Sequence, residues 1–168
     1  MDIKHHYIEQ GTGFPLILLH GNGEDVSYFE HQMEPFARHF RVIAIDTRGH
    51  GQTPRGEAPF TIRQFADDLL AFLDRMDIEK AHILGFSDGG NIALVFALAH
   101  PERVERLILD GANLDASGVK RSIQIPIEIG YRIARSIPGA ELAILPGSHF
   151  VANQNPAAFN EAVLRFLL

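Results

Sequence analysis

The sequence predicts an α/β fold, a mostly parallel sheet with helices on both faces, as one domain over residues 1–168. Short apolar runs rich in β-branched residues and bounded by turn formers alternate along the chain with segments of helical period. The runs are apolar throughout rather than every second residue, which is the pattern of strands covered on both sides. Strand alternating with helix implies parallel neighbours and crossover connections.

The opening "DIKHHYIEQGTGFPLILL" leads into the first central strand and is expected to add antiparallel pairing at one edge. "PLILLH" (15–20), "FRVIAID" (40–46), "AHILGF" (81–86), "VERLILD" (104–110) and "AELAILP" (140–146) are the predicted buried strands. Between the first two, Ser27 to His39 carries apolar residues at helical spacing. Thr61 to Met76 does so more clearly, with Ile62, Phe65, Ala66, Leu69, Leu70 and Leu73 on one face. Asn91 to His100 is almost wholly apolar, so its helix is expected inside the molecule, and Pro156 to Leu168 forms the last helix. No repeat, low-complexity tract or linker interrupts the pattern.

Composition narrows the function classes. With 46% hydrophobic and 21% charged residues in 168, one core of ordinary size can form. The formal charge of −6, with no run of Lys or Arg, offers nothing to a phosphate backbone or an anionic lipid surface, so neither nucleic acid nor membrane is an expected partner. The chain has no cysteine, which removes thiolate chemistry and disulfides. "MDIKHHYIEQ" lacks a signal-peptide core and no apolar run reaches membrane-spanning length, so a cytoplasmic protein is expected. No histidine pair has HExxH-like spacing, so no metal site is expected. Monomer and homodimer both stay open.

The stretch that carries chemistry is "HILGFSDGGNIALVFALAHPERV", His82 to Val104. Ser87 sits at the junction of a strand and a helix, inside GxSxG formed by Gly85, Phe86, Ser87, Asp88 and Gly89. A strand passing straight into a helix forces a sharp bend at the serine, and residues two places to either side must lack bulk for the chain to pass. The hydroxyl then projects at the carboxyl edge of the sheet, where open α/β folds bind ligands, near a helix N-terminus suited to negative charge.

Together with three other segments this motif resembles the α/β-hydrolase superfamily. "LILLHGNG" looks like that family's first long strand and HG turn, and "VIAIDTRGHGQT" like its DxRGxGxS loop with Thr53 in the final place. "GFSDGG" looks like the nucleophile elbow, and "IPGAELAILPGSHFVANQNPAAFNEAVLRFL" like the terminal strand, histidine loop and helix. The resemblance implies Ser87 as nucleophile, His149 as general base, and the backbone amides of Asn22 and Asp88 as an oxyanion hole, and it implies no cofactor. A serine hydroxyl needs such a base to attack near neutral pH, and imidazole can return the proton to the leaving group. His5, His6, His31, His39, His82 and His100 lie in a terminal strand or at element ends and read as surface or structural residues. A carboxylate at Asp88 either favours a cationic or hydrogen-bonding substrate group or simply complements the helix dipole.

The chain departs from the family pattern in two ways. Only 30 residues lie between Asp110 and Glu141, too few for a cap, and the seventh strand is shortened or absent. The same register puts Ser122 where the family's acid stands, which leaves Asp110, after the sixth strand, as the acid candidate, with Asp115 and Glu128 behind it. As an alternative, Asp110 is a loop aspartate held by backbone amides. The expected activity is hydrolysis of small carboxylic esters in an open site, with lactone, amide and carbon–carbon bond hydrolysis as neighbours. Two alternatives stand beside it: a catalytically impaired scaffold that binds small ligands, and a self-associating module using an uncovered sheet edge.

Overall fold

The computed structural model describes residues 2–111 and 140–168. Strands Pro15–Leu19 (β2), Arg41–Ile45 (β3), Ala81–Phe86 (β4) and Val104–Asp110 (β5) run parallel, and Tyr7–Gln10 (β1) pairs antiparallel with β3 at the edge. The spatial order is β1-β3-β2-β4-β5. The α/β architecture with a mostly parallel sheet is thus the one the sequence predicts.

Continuous apolar runs become strands because each has two faces to bury. Leu16, Leu18, Val42, Ala44, Leu84 and Phe86 point to one face, where they pack on Glu30–Ala37 (α1) and the last helix. Ile17, Leu19, Ile43, Ile45, Ala81 and Ile83 point to the other, against Ile62–Arg75 (α2) and Asp88–Ala99 (α3). Each side chain of this kind, fully buried, stabilises the fold by about 1.5–3 kcal/mol. Replacing Ile17, which is completely buried, by Ala therefore costs about 2–5 kcal/mol, the transfer term plus the cavity.

Helix α2 starts where the Thr61 side chain accepts a hydrogen bond from the Gln64 amide at 3.2 Å, an N-cap. It ends at Met76, ahead of Asp77 with φ of 53°. Its buried face is Phe65, Ala66, Leu69, Phe72 and Leu73, with Ile62 and Leu70 only partly covered. The segment from Ser27 divides into a 3-10 turn, Val26–Phe29, and α1. Asp25 caps the turn by accepting from the Ser27 amide at 2.8 Å.

Two buried carboxylates fix the loop that follows β3. Asp46 accepts from the amides of Val26 and Gln52, each at 2.8 Å, and from His6 Nδ1 at 2.7 Å. Arg48, among the most buried side chains, donates Nε and Nη2 to Asp68 at 2.7 Å and Nη1 and Nη2 to Asp2 at 2.9 and 2.7 Å. This double fork ties the N-terminal segment and α2 to the loop.

The expected strand at 140–146 does not form: Glu141 to Leu145 has no regular secondary structure, and most of it is exposed. No described strand lies beside it to supply a ladder, and an apolar run without a partner has no reason to stay extended. The segment leads into Val151–Gln154 (α4) and Pro156–Leu167 (α5), the latter close to the predicted last helix. Ser122, Asp115, Glu128 and the helix read around them lie outside the described residues. Among those described, no helix is long and apolar enough to cross a membrane.

Candidate active site

The strand order sets the position of the site. From β2 the chain crosses to β3 on one side, then returns to place β4 on the other side of β2. Carboxyl ends that diverge in this way leave a crevice between them, the usual ligand position of an open α/β sheet. The turn after β2 and the turn after β4 meet there.

Ser87 forms the second turn. Its φ is 52° and ψ −115°, a combination that L-residues avoid and that costs about 1–3 kcal/mol. The bend is held from both sides. The Ser87 amide donates to the Asp110 carbonyl at 2.7 Å, and the Ser87 carbonyl accepts from the Asn91 amide at 3.1 Å. The flanking glycines are there for contact. A Cβ on Gly89 would stand 2.1 Å from the Leu19 carbonyl oxygen, and one on Gly85 would stand 2.3 Å from that of Gly89. The lack of a side chain at Gly89 lets α3 start directly over the end of β2, so the helix begins at Asp88, where "DGGNIALVFALAH" places it.

The turn after β2 is His20, Gly21, Asn22 and Gly23. Buried His20 holds its base: Nδ1 lies 2.7 Å from the Gly21 carbonyl and Nε2 accepts from the Thr47 amide at 3.1 Å. This pairing requires a neutral ring with the proton on Nδ1, and burial lowers its pKa in agreement. Glu24 accepts from the Gly21 amide at 3.0 Å and closes the turn. Asn22 is exposed, with Oδ1 3.4 Å from His50 Nε2. Asp88 occupies the first position of α3, whose leading amides have no intrahelical partner. Its carboxylate accepts from the Asn91 side chain at 3.2 Å, which suits a helix-terminal acid.

His149 lies after the irregular segment, half-buried. Its ring packs on Phe86, the residue before the serine, at 4.8 Å between centroids, and on Phe150 at 5.4 Å. Burial lowers its pKa, so the imidazole is neutral and able to accept a proton near neutral pH. Among the described residues no hydrogen bond joins it to Ser87 or Asp110.

Asp110 ends β5, in register with Phe86. Its Oδ2 is buried with no hydrogen-bond partner, and burial, reinforced by the charge of Glu24, pushes its pKa up to about 7. Tyr28 stacks on Phe86 at 4.2 Å, with its buried hydroxyl likewise unpartnered. The described structure thus brings Ser87, Asp88, Asn22, His149 and Asp110 to one edge of the sheet. It does not bond the acid candidate to the histidine.

The sequence reading overlooked Gln32, fully buried on α1 and bonded to the segment that follows His149. A signal was present: Phe29, Gln32, Met33 and Phe36 share one helical face, so a polar residue stands at a core position.

The chain belongs to the alpha/beta hydrolase fold family, whose model matches residues 15–122. It is 39% identical over 114 residues to a 2-hydroxymuconate semialdehyde hydrolase of Pseudomonas sp. (strain CF600), covering 66% of this chain and 40% of that protein. A solved meta-cleavage product hydrolase from Pseudomonas fluorescens IP01 is 32% identical, with a TM-score of 0.65 over 73% of this chain and 45% of its own. The enol-lactonase of Burkholderia xenovorans LB400 shares the fold at a TM-score of 0.90 and 20% identity, over 98% of this chain and 96% of its own. The chain spans between 35% and 45% of the length of the curated relatives it matches.

Proposed function

We propose that this chain is a serine hydrolase of small carboxylic esters, working through an acyl-enzyme on Ser87. The observation that carries this reading is the backbone of Ser87, held at φ 52° between two glycines at the crevice of the sheet. Strain of this kind persists only where the surroundings enforce it, and a strand-to-helix turn of this kind serves to present a nucleophile's hydroxyl at the sheet edge.

In this reading His149 takes the proton of Ser87 Oγ as the oxygen bonds to the ester carbonyl carbon. The tetrahedral oxyanion accepts hydrogen bonds from the amides of Asn22 and Asp88, a contribution of about 3 kcal/mol per donor in comparable sites. Collapse breaks the bond to the alcohol oxygen, which leaves with the proton from His149. Water, deprotonated by the same ring, attacks the acyl carbon, and the carboxylic acid departs as Ser87 recovers its proton. Asp110 is the acid that meets the imidazolium as it forms. The carboxylate of Asp88 beside the serine disfavours acidic substrates, so neutral short-chain esters fit best.

The unpartnered Oδ2 of Asp110 favours a second reading, a catalytically impaired scaffold that binds small ligands in the same crevice. Turnover of p-nitrophenyl acetate decides between them. The proposal expects a burst of p-nitrophenol near one equivalent that Ser87→Ala abolishes. Release no faster than the Ser87→Ala background supports the scaffold.

A further inference from the structure

Among the described residues, no strand pairs with the segment that precedes His149, so its place beside Ser87 must be set by something else. The segment after it supplies the anchor. Gln32 on α1 donates Nε2 to the Ala152 carbonyl at 2.9 Å and to Asn160 Oδ1 at 3.2 Å. Asn160 on α5 returns its own Nδ2 to the His31 carbonyl on α1 at 2.9 Å. All three residues at this junction, Gln32, Ala152 and Asn160, are buried. Ala152 lies three residues beyond His149, in the short helix that the histidine leads into.

The amide orientations follow from the acceptors. Gln32 faces two oxygens with its two N–H donors, and Asn160 accepts from Gln32 while donating to a carbonyl. What remains is the Gln32 Oε1, buried with no partner. An amide left half satisfied inside the core carries the desolvation cost of its free oxygen against the gain of its two donated bonds. A buried amide that gives up one acceptor in order to fix one short helix against another points to a role in geometry.

We infer that Gln32 and Asn160 form a two-amide clamp that positions His149 for reaction with Ser87. This rests on the reading of His149 as general base. The two residues touch no substrate; they act through Ala152 and the turn before it. A displacement of the ring by about 1 Å is enough to slow proton transfer by up to 10²-fold.

The test is the pre-steady-state burst rate with p-nitrophenyl acetate, measured with urea unfolding on the same samples. In Gln32→Met, of similar volume, the expected result is a lowered urea midpoint, because the buried Ala152 carbonyl and Asn160 Oδ1 lose their donor, together with a burst of the folded fraction at least about 10-fold slower and little change in KM. A merely structural role would move the midpoint and leave the rate of the folded fraction alone. Asn160→Ala, which keeps the Gln32–Ala152 bond, is expected to slow the burst less, and it decides the matter if Gln32→Met does not fold. A folded Gln32→Met bursting within twofold of the parent overturns the clamp. The control is His149→Ala. If it slows the burst while the clamp variants do not, the clamp alone fails; if it bursts at the parent rate, the base reading fails and the clamp's role with it. A parent chain with no burst overturns the functional reading itself.

Discussion

Asp110→Asn separates what a residue does for the fold from what it does for the reaction. In the folded chain the Asp110 carboxyl is buried, its Oδ2 has no partner, and its pKa rises from the ordinary 3.8 to about 7. Holding the charged form there costs on the order of 4 kcal/mol, at about 1.4 kcal/mol per tenfold change in the ionisation equilibrium. The direction follows from proton binding. Between pH 4 and 7 the folded state keeps a proton that the unfolded state has released, so this group's contribution is fully present below pH 4 and is lost as pH rises through 7. Asparagine, close in shape and never charged, is therefore expected to leave stability at pH 4–5 nearly unchanged and to raise it at pH 8 by a few kcal/mol. For a chain of this length that corresponds to roughly 10 °C in Tm. The assay is urea and thermal unfolding of both proteins at pH 4.5 and pH 8. In the proposed mechanism the same substitution removes the acid that meets the imidazolium, so ester turnover is expected to fall, by up to about 10⁴-fold if the pairing resembles that of the best-studied triad. Gained stability with lost activity marks a residue retained for chemistry. A Asp110→Asn chain less stable than its parent at pH 8 would refute the reasoning, because it would mean that the carboxylate is already paired in the resting protein.

Other consequences can be checked on the same material. Gly89→Ala puts a Cβ 2.1 Å from the Leu19 carbonyl oxygen, a backbone contact that nothing can relieve locally. Its urea midpoint is expected to fall by the equivalent of about 3 kcal/mol, and a loss under 1 kcal/mol would show that α3 and β2 can part freely. Because burial lowers the His20 pKa, this ring stays neutral below pH 6.5, where the unfolded chain binds a proton, so its contribution to stability declines as pH falls. Imidazole ¹⁵N shifts at pH 6 are expected to report the Nδ1–H form, whereas a doubly protonated ring would contradict the Thr47 hydrogen bond.

Much of the fold was legible because its signals are local. The three central strands β2, β3 and β4 follow from apolar runs long enough to bury two faces, whereas β5, read as equally buried, forms the edge of the described sheet with its residues only partly covered; α2 follows from a 3.6-residue stripe with Thr61 before it. The GxSxG turn was legible as a steric demand, and Gly85 and Gly89 meet that demand because a Cβ on either would stand within 2.3 Å of a backbone oxygen. The sequence was less informative wherever a partner distant in sequence decides the structure. "AELAILP" has the composition of a strand, but composition does not provide a neighbour. The Arg48 fork joins residues up to 46 apart, and the Gln32–Asn160 bond joins residues 128 apart. No periodicity reports such pairs, although Gln32 betrayed itself as a polar residue on an apolar face. Asp110 was legible as a candidate by its place after a strand, while the absence of a partner for its carboxylate is a matter of three-dimensional packing.

The central claim is a covalent intermediate on Ser87. The most direct measurement is peptide mapping by mass spectrometry after the chain is mixed with p-nitrophenyl acetate and quenched in acid within the burst. The account predicts one acetyl group per chain, on Ser87, absent from Ser87→Ala. Acetyl found elsewhere with Ser87 unmodified, or no adduct during measurable turnover, would contradict it.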